Sequence, residues 1–100
     1  MPLFFVNPPQ YHIMLMKKVV MYTSSHCPYC LMAERLLAGK GITAIEKIRV
    51  DLDPQQRREM MERTGRRTVP QIFIGDVHIG GFQELAALDR QGELDKLLQD

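Results

Sequence analysis

No stretch of the 100-residue sequence stays apolar for the roughly 18 residues that a bilayer crossing needs, so a membrane-spanning helix is excluded. Charge of one sign is also missing. Thirteen Lys and Arg against twelve Asp and Glu leave a net charge of +1, which gives no broad field for nucleic acid and points instead to a small molecule or a protein as partner. The chain has only two cysteines and no second Cys-x-x-Cys. Its three histidines, His12, His26 and His78, are not at His-x3-5-His spacing. A structural zinc site is therefore short of its four ligands, and no metal is expected. A leader is not expected either, because no basic residue precedes Leu3, Phe4, Phe5 and Val6, and Pro8-Pro9 interrupts them. Without an export signal the default is the reducing cytoplasm, where a Cys-x-x-Cys pair is catalytic or metal-binding more often than a stable bridge.

What remains is the composition of one globular domain, 45% hydrophobic and 25% charged, long enough to bury a core without covalent staples. Residues 1–16 stand apart, with two adjacent prolines, no Asp, Glu, Lys or Arg, and no clear period. They read as an N-terminal extension, with Met14 or Met16 as an alternative start, and residues 17–100 read as the domain. Residues 18–22 form a β-branched and aromatic strand that runs into the polar cluster Thr23 to His26. From Pro28 a helix follows, its apolar stripe read as Leu31, Met32, Leu36 and Leu37, with an end between Gly39 and Gly41. A second strand spans 44–52, and Asp53-Pro54 opens a second helix that Gly65 stops. Residues 69–74 and 77–79, joined by Gly75-Asp76, read as a hairpin, and amphipathic helices follow at 82–88 and 94–98. The order β-α-β-α-β-β-α describes an α/β protein with a mixed four-stranded sheet flanked by helices, the order of a thioredoxin-like fold.

Cys27-Pro28-Tyr29-Cys30 falls at the start of the first helix. There the helix dipole and the unpaired N–H groups favour a thiolate at the first sulfur, lowering a pKa of about 8.5 to roughly 3.5–7.5. Cys27 is then the attacking thiol. Cys30, one turn deeper, is placed to resolve a mixed disulfide formed on Cys27. His26 reads as a solvated loop residue and His78 as a structural one.

Three motifs in order, Cys27-Pro28-Tyr29-Cys30, Thr68-Val69-Pro70 and Gly80-Gly81 ahead of a helix, resemble the glutaredoxins, most closely the small bacterial dithiol class. The resemblance spans about residues 17–98. It implies a glutathione-dependent thiol–disulfide oxidoreductase that reduces protein disulfides and glutathione mixed disulfides. Glutathione would be its co-substrate, with no tightly bound cofactor. Implied partners are protein disulfides, ribonucleotide reductase among them, and, indirectly, glutathione reductase, with the chain acting as a monomer. It implies a cis Pro70 facing the active cysteine and a Val69 backbone paired with the cysteinyl unit of glutathione. Thr68 belongs to the same segment, and Tyr29 would form the pocket wall. Arg57 would reach the glycyl carboxylate, with Arg67 adding charge at the rim. Gly81, Phe82 and Gln83 would take the γ-glutamyl carboxylate on helix N–H groups. Two departures stand out: Ser24 replaces a common lysine before the cysteines, and Gln83-Glu84 replaces a common Asp-Asp. Two other activities fit the same residues, a redoxin fed by thioredoxin reductase and an iron–sulfur carrier using Cys27 and glutathione.

Overall fold

The computed structural model describes residues 16–99; all of the expected 1–16 extension except Met16 lies outside the described residues. Strand β1 (Val19–Thr23) leads into helix α1 (Pro28–Gly39), then strand β2 (Glu46–Arg49) and helix α2 (Pro54–Thr64). Strands β3 (Gln71–Ile74) and β4 (Val77–Gly80) form the hairpin, and helices α3 (Phe82–Arg90) and α4 (Leu94–Leu98) complete the described chain. The sheet order is β2-β1-β3-β4, with β1 parallel to β2, antiparallel to β3, and β3 antiparallel to β4. The thioredoxin-like order is met, with the last helical segment broken in two after Arg90.

Alternation along β1 and β3 divides the core into two layers. Val19, Met21, Ile72 and Ile74 pack with Cys30, Ala33 and Leu37 of α1, Leu85 of α3, and Leu94 and Leu98 of α4. On the opposite face Tyr22 and Phe73 pack with Val50 and with Met60 of α2. A sheet covered on both faces explains why β1 and β3 are nearly continuous apolar runs.

Two sequence expectations are corrected here. Of the four residues read as the apolar stripe of α1, Leu37 is buried and Leu36 packs against the core, but Leu31 is 53% and Met32 41% exposed, and Cys30 and Ala33 complete the buried face. The sheet beneath decides which face turns inward, and Ala33 packs there beside Cys30 and Leu37, so side-chain size is a poor guide to the inward face. The second strand is shorter than 44–52. Pairing with β1 covers only Glu46 to Arg49, because this edge strand is exposed on its outer side and the chain turns at Asp51-Leu52 toward α2.

Helix α2 starts and stops where expected. Asp53 caps it by accepting the Gln55 N–H at 2.9 Å, and Gly65, at φ +71°, donates its N–H to the Met61 carbonyl at 2.8 Å. The ends of the described chain meet: Met16 forms an isolated antiparallel bridge with Gln99, and the Lys17 N–H donates to the Leu98 carbonyl at 2.8 Å.

Candidate active site

The turn after β1 presents the first cysteine, and Asp51 anchors that turn. Its Oδ2 accepts from the Ser25 hydroxyl at 3.1 Å and from the Ser25 N–H at 3.4 Å, while Arg49 grips both carboxylate oxygens at 2.7 and 2.6 Å. The Arg49 guanidinium, helped by the Ser25 donors, holds the Asp51 carboxyl well below the usual carboxylate range. His26 is exposed, as the sequence suggested, but adopts φ +57°, a left-handed conformation uncommon for a residue with a side chain. That turn delivers Cys27 as the N-cap of α1.

Cys27 has extended backbone angles, and its Sγ accepts the Cys30 N–H at 3.3 Å, taking the place of a capping oxygen. The two cysteines form a disulfide, with their Cα atoms 5.2 Å apart. Their surroundings differ. Cys27 is half-buried at the surface, whereas Cys30 is 2% exposed and belongs to the core.

Facing Cys27 is the segment before β3. The Val69–Pro70 peptide bond is cis, and the Val69 carbonyl oxygen lies 3.8 Å from Cys27 Sγ. A cleft of about 340 Å³ opens there. Seven residues named from the sequence line it: Tyr29, Thr68, Val69, Pro70, Gly81, Phe82 and Gln83. Tyr29 is 54% exposed and stacks on Phe82 with ring centroids 6.2 Å apart. Neither sulfur is part of the cleft lining; Cys27 adjoins the cleft through the Val69 carbonyl, whereas a larger hollow of about 530 Å³ on the polar surface of α2, between Asp53 and Glu62, has no such link.

Arg57 is not brought to the cleft. It is not among the lining residues, and its Nη1 donates to the Arg67 carbonyl at 3.2 Å, bracing the loop between α2 and β3. Arg66 lines the cleft where the sequence suggested Arg67, and Gln71 and Glu84 line it as well. Glu84, the third helical residue of α3, reaches back so that its Oε1 accepts the Gly81 N–H at 2.6 Å and meets Arg66 Nη1 at 3.2 Å. The Gly81 N–H, with Arg66 assisting, pulls the Glu84 carboxyl below its ordinary value.

His78 has the structural setting expected of it. Its Nε2 lies 2.7 Å from Gln71 Oε1 and its ring sits 5.0 Å from that of Phe73. Among the described residues no three or more His, Cys, Asp or Glu are grouped to hold a metal ion.

A dithiol at a helix start, with one sulfur accessible and one buried, opposite a cis-proline segment, is the arrangement that disulfide exchange needs, and the glutaredoxin family model matches residues 19–79. The chain belongs to the glutaredoxin family. It is 52% identical to a glutaredoxin of Neisseria meningitidis over 83 residues, which is 83% of this chain and 98% of that one. The solution structure of a glutaredoxin from Brucella melitensis superposes with a TM-score of 0.74 at 49% identity, covering 85% of this chain and 91% of the other. A buckwheat glutaredoxin–glutathione complex superposes at 0.75 with 29% identity, covering 82% of this chain and 76% of the other. Glutaredoxins are thiol–disulfide oxidoreductases, and the redox pair of this glutaredoxin is Cys27 and Cys30.

Proposed function

We propose that this glutaredoxin takes its electrons from glutathione and binds the tripeptide in the cleft between Tyr29, Val69 and the start of α3. The observation that carries the reading is the placement of Cys27 Sγ, half-exposed at a helix N-cap and 3.8 Å from the Val69 carbonyl, with Cys30 buried behind it. The buckwheat relative, solved as a glutathione complex, supports the choice of thiol.

With the pair reduced, the Cys27 thiolate keeps the Cys30 N–H as a charge-assisted donor and sits at the positive end of α1. It attacks the glutathione sulfur of a protein–glutathione mixed disulfide. The protein leaves as a thiolate, and Cys27 is left disulfide-bonded to glutathione. A second glutathione thiolate attacks that glutathione sulfur, releasing oxidised glutathione and regenerating Cys27. On a protein disulfide, Cys27 forms the mixed disulfide with the protein. Cys30 then attacks Cys27 Sγ, expelling the second protein thiolate and closing the Cys27–Cys30 bond, which two glutathiones reopen.

In the cleft, the Val69 backbone pairs with the cysteinyl unit and Tyr29 walls the side. The N–H groups at Phe82 and Gln83 receive the γ-glutamyl carboxylate at the start of α3. Arg66 and Arg67 supply positive charge at the rim, and Arg57 steadies their loop. The reading extends to a cytoplasmic monomer acting on protein disulfides and recycled through glutathione reductase.

The test is glutathione-dependent reduction of a small mixed disulfide, coupled to glutathione reductase and NADPH. Cys27→Ser abolishes it, and Cys30→Ser keeps it while losing the reduction of protein disulfides. Full activity in Cys27→Ser, or reduction of the oxidised protein by thioredoxin reductase but not by glutathione, overturns the reading.

A further inference from the structure

At the base of the cleft, Gln71 is 1% exposed and its amide is engaged at both ends. Its Nε2 donates to the Thr68 carbonyl at 3.0 Å and lies 3.5 Å from the Thr68 hydroxyl, while its Oε1 lies 2.7 Å from His78 Nε2. A carbonyl oxygen only accepts hydrogen bonds, so Thr68 fixes which end of the amide faces it. The amide oxygen is thereby turned toward His78, and that contact is a hydrogen bond only if Nε2 carries the imidazole proton. The constraint thus passes from Thr68 to Gln71 and from Gln71 to His78. Thr68 immediately precedes Val69, whose carbonyl faces the Cys27 sulfur.

We infer that His78, acting through Gln71, is a positioning residue for disulfide exchange: it holds the Thr68-Val69-Pro70 segment at the height at which Val69 pairs with glutathione. The inference rests on the glutathione reading above. His78 lies on β4, away from the cleft lining, and touches no reacting atom. Its ring is seated against Phe73 of β3, and Arg63 lies against that same ring at 4.1 Å. The charged groups bearing on it are Arg66, Glu84 and Arg63. Burial, with the two arginines adding to it and Glu84 opposing, pushes the imidazolium form down. What the amide chain requires is a proton on Nε2, which in the neutral ring selects the Nε2–H tautomer.

Two measurements test this. Long-range ¹H–¹⁵N spectra of the reduced protein at pH 7.5 show His78 as the neutral Nε2–H tautomer; a dominant Nδ1–H tautomer overturns the inference. In the kinetic arm, His78→Phe keeps an aromatic ring against Phe73 but removes the donor, and His78→Gln restores an N–H donor. Loss of one buried hydrogen bond raises KM for the glutathione mixed disulfide about three- to tenfold in His78→Phe with little change in kcat, and His78→Gln recovers most of it. Wild-type KM in His78→Phe overturns the inference, as does a His78→Gln variant no better than Phe. If the wild type ignores glutathione, the glutathione reading falls. Hydrogen exchange at the Val69 amide then decides the relay, faster in His78→Phe if it operates and unchanged if it does not.

Discussion

Replacing Gly80 by alanine tests how the corner between β4 and α3 is built. Gly80 sits at φ +115°, and an added Cβ would come within 2.7 Å of Glu84 Oε1 and 3.1 Å of its Cδ and Cγ. Two costs follow. Holding a residue with a side chain at that φ costs about 1–3 kcal/mol. Displacing Glu84 removes its bond to the Gly81 N–H, worth about 0.5–2 kcal/mol as a helix cap. The total is about 1.5–5 kcal/mol, which with a urea slope of about 1–3 kcal/mol/M lowers the unfolding midpoint by about 0.5–5 M. Against a folded stability of about 5–15 kcal/mol that is a large share of the whole, so the parent's own midpoint is measured alongside. Gly81 is the built-in comparison, because its added Cβ meets only the Pro70 carbonyl at 3.4 Å and Glu84 Oε1 at 3.5 Å, ordinary contacts. Gly81→Ala is therefore expected within about 1 kcal/mol of the parent. Urea unfolding of the oxidised proteins followed by far-UV circular dichroism measures both. Equal midpoints for the two variants, or a Gly80→Ala midpoint equal to the parent's, would refute the reasoning.

Leu37→Ala, in the buried face of α1, is expected to lose about 2–5 kcal/mol, whereas exposed Leu31→Ala changes stability by about 0.5 kcal/mol or less, both read from urea midpoints. Arg66→Ala is expected to raise KM for the glutathione mixed disulfide several-fold with kcat nearly kept, and raising the salt concentration shrinks the difference from the parent; an unchanged KM removes Arg66 from the pocket. His78 titrates below the usual imidazole value near 6.5, so on acidification the unfolded chain takes up that proton first. Its contribution to stability is complete above about pH 6.5 and is lost as pH falls below it, so the urea midpoint drops between about pH 7 and 5 more steeply in the parent than in His78→Phe. Equal slopes contradict the assignment.

Local chemistry made much of this fold legible. Pro28, Asp53-Pro54 and Gly65 mark helix ends through the backbone angles and caps they supply, and each acts where it was read. Gly75-Asp76 marks the hairpin turn between β3 and β4. The inward face of α1 was only partly legible: Leu36 and Leu37 do turn to the core, but Leu31 and Met32 are large and apolar yet exposed, and only the sheet below decides that Ala33 belongs inside. The length of β2 was hidden for a similar reason: alternation continues past the residues that β1 pairs with. At the cleft, the cysteine pair and the Val69–Pro70 segment stood out by motif. Arg66 and Gln71 did not, since Arg66 acts with Glu84, 18 residues away, and Gln71 with His78, 7 residues away across the hairpin, partners that only the fold brings together; Glu84, three residues after Gly81, stands at capping-box spacing.

The bridge between Met16 and Gln99, with Lys17 hydrogen-bonded to Leu98, brings the two ends of the described chain together. The backbone is in effect a ring opened at one point. A circularly permuted protein, in which a short linker joins residue 99 to residue 16 and new termini open at the exposed Gly75-Asp76 turn, keeps every strand neighbour and both cysteines in place. What the architecture requires is the set of contacts around that ring, and the position at which synthesis begins is incidental to it.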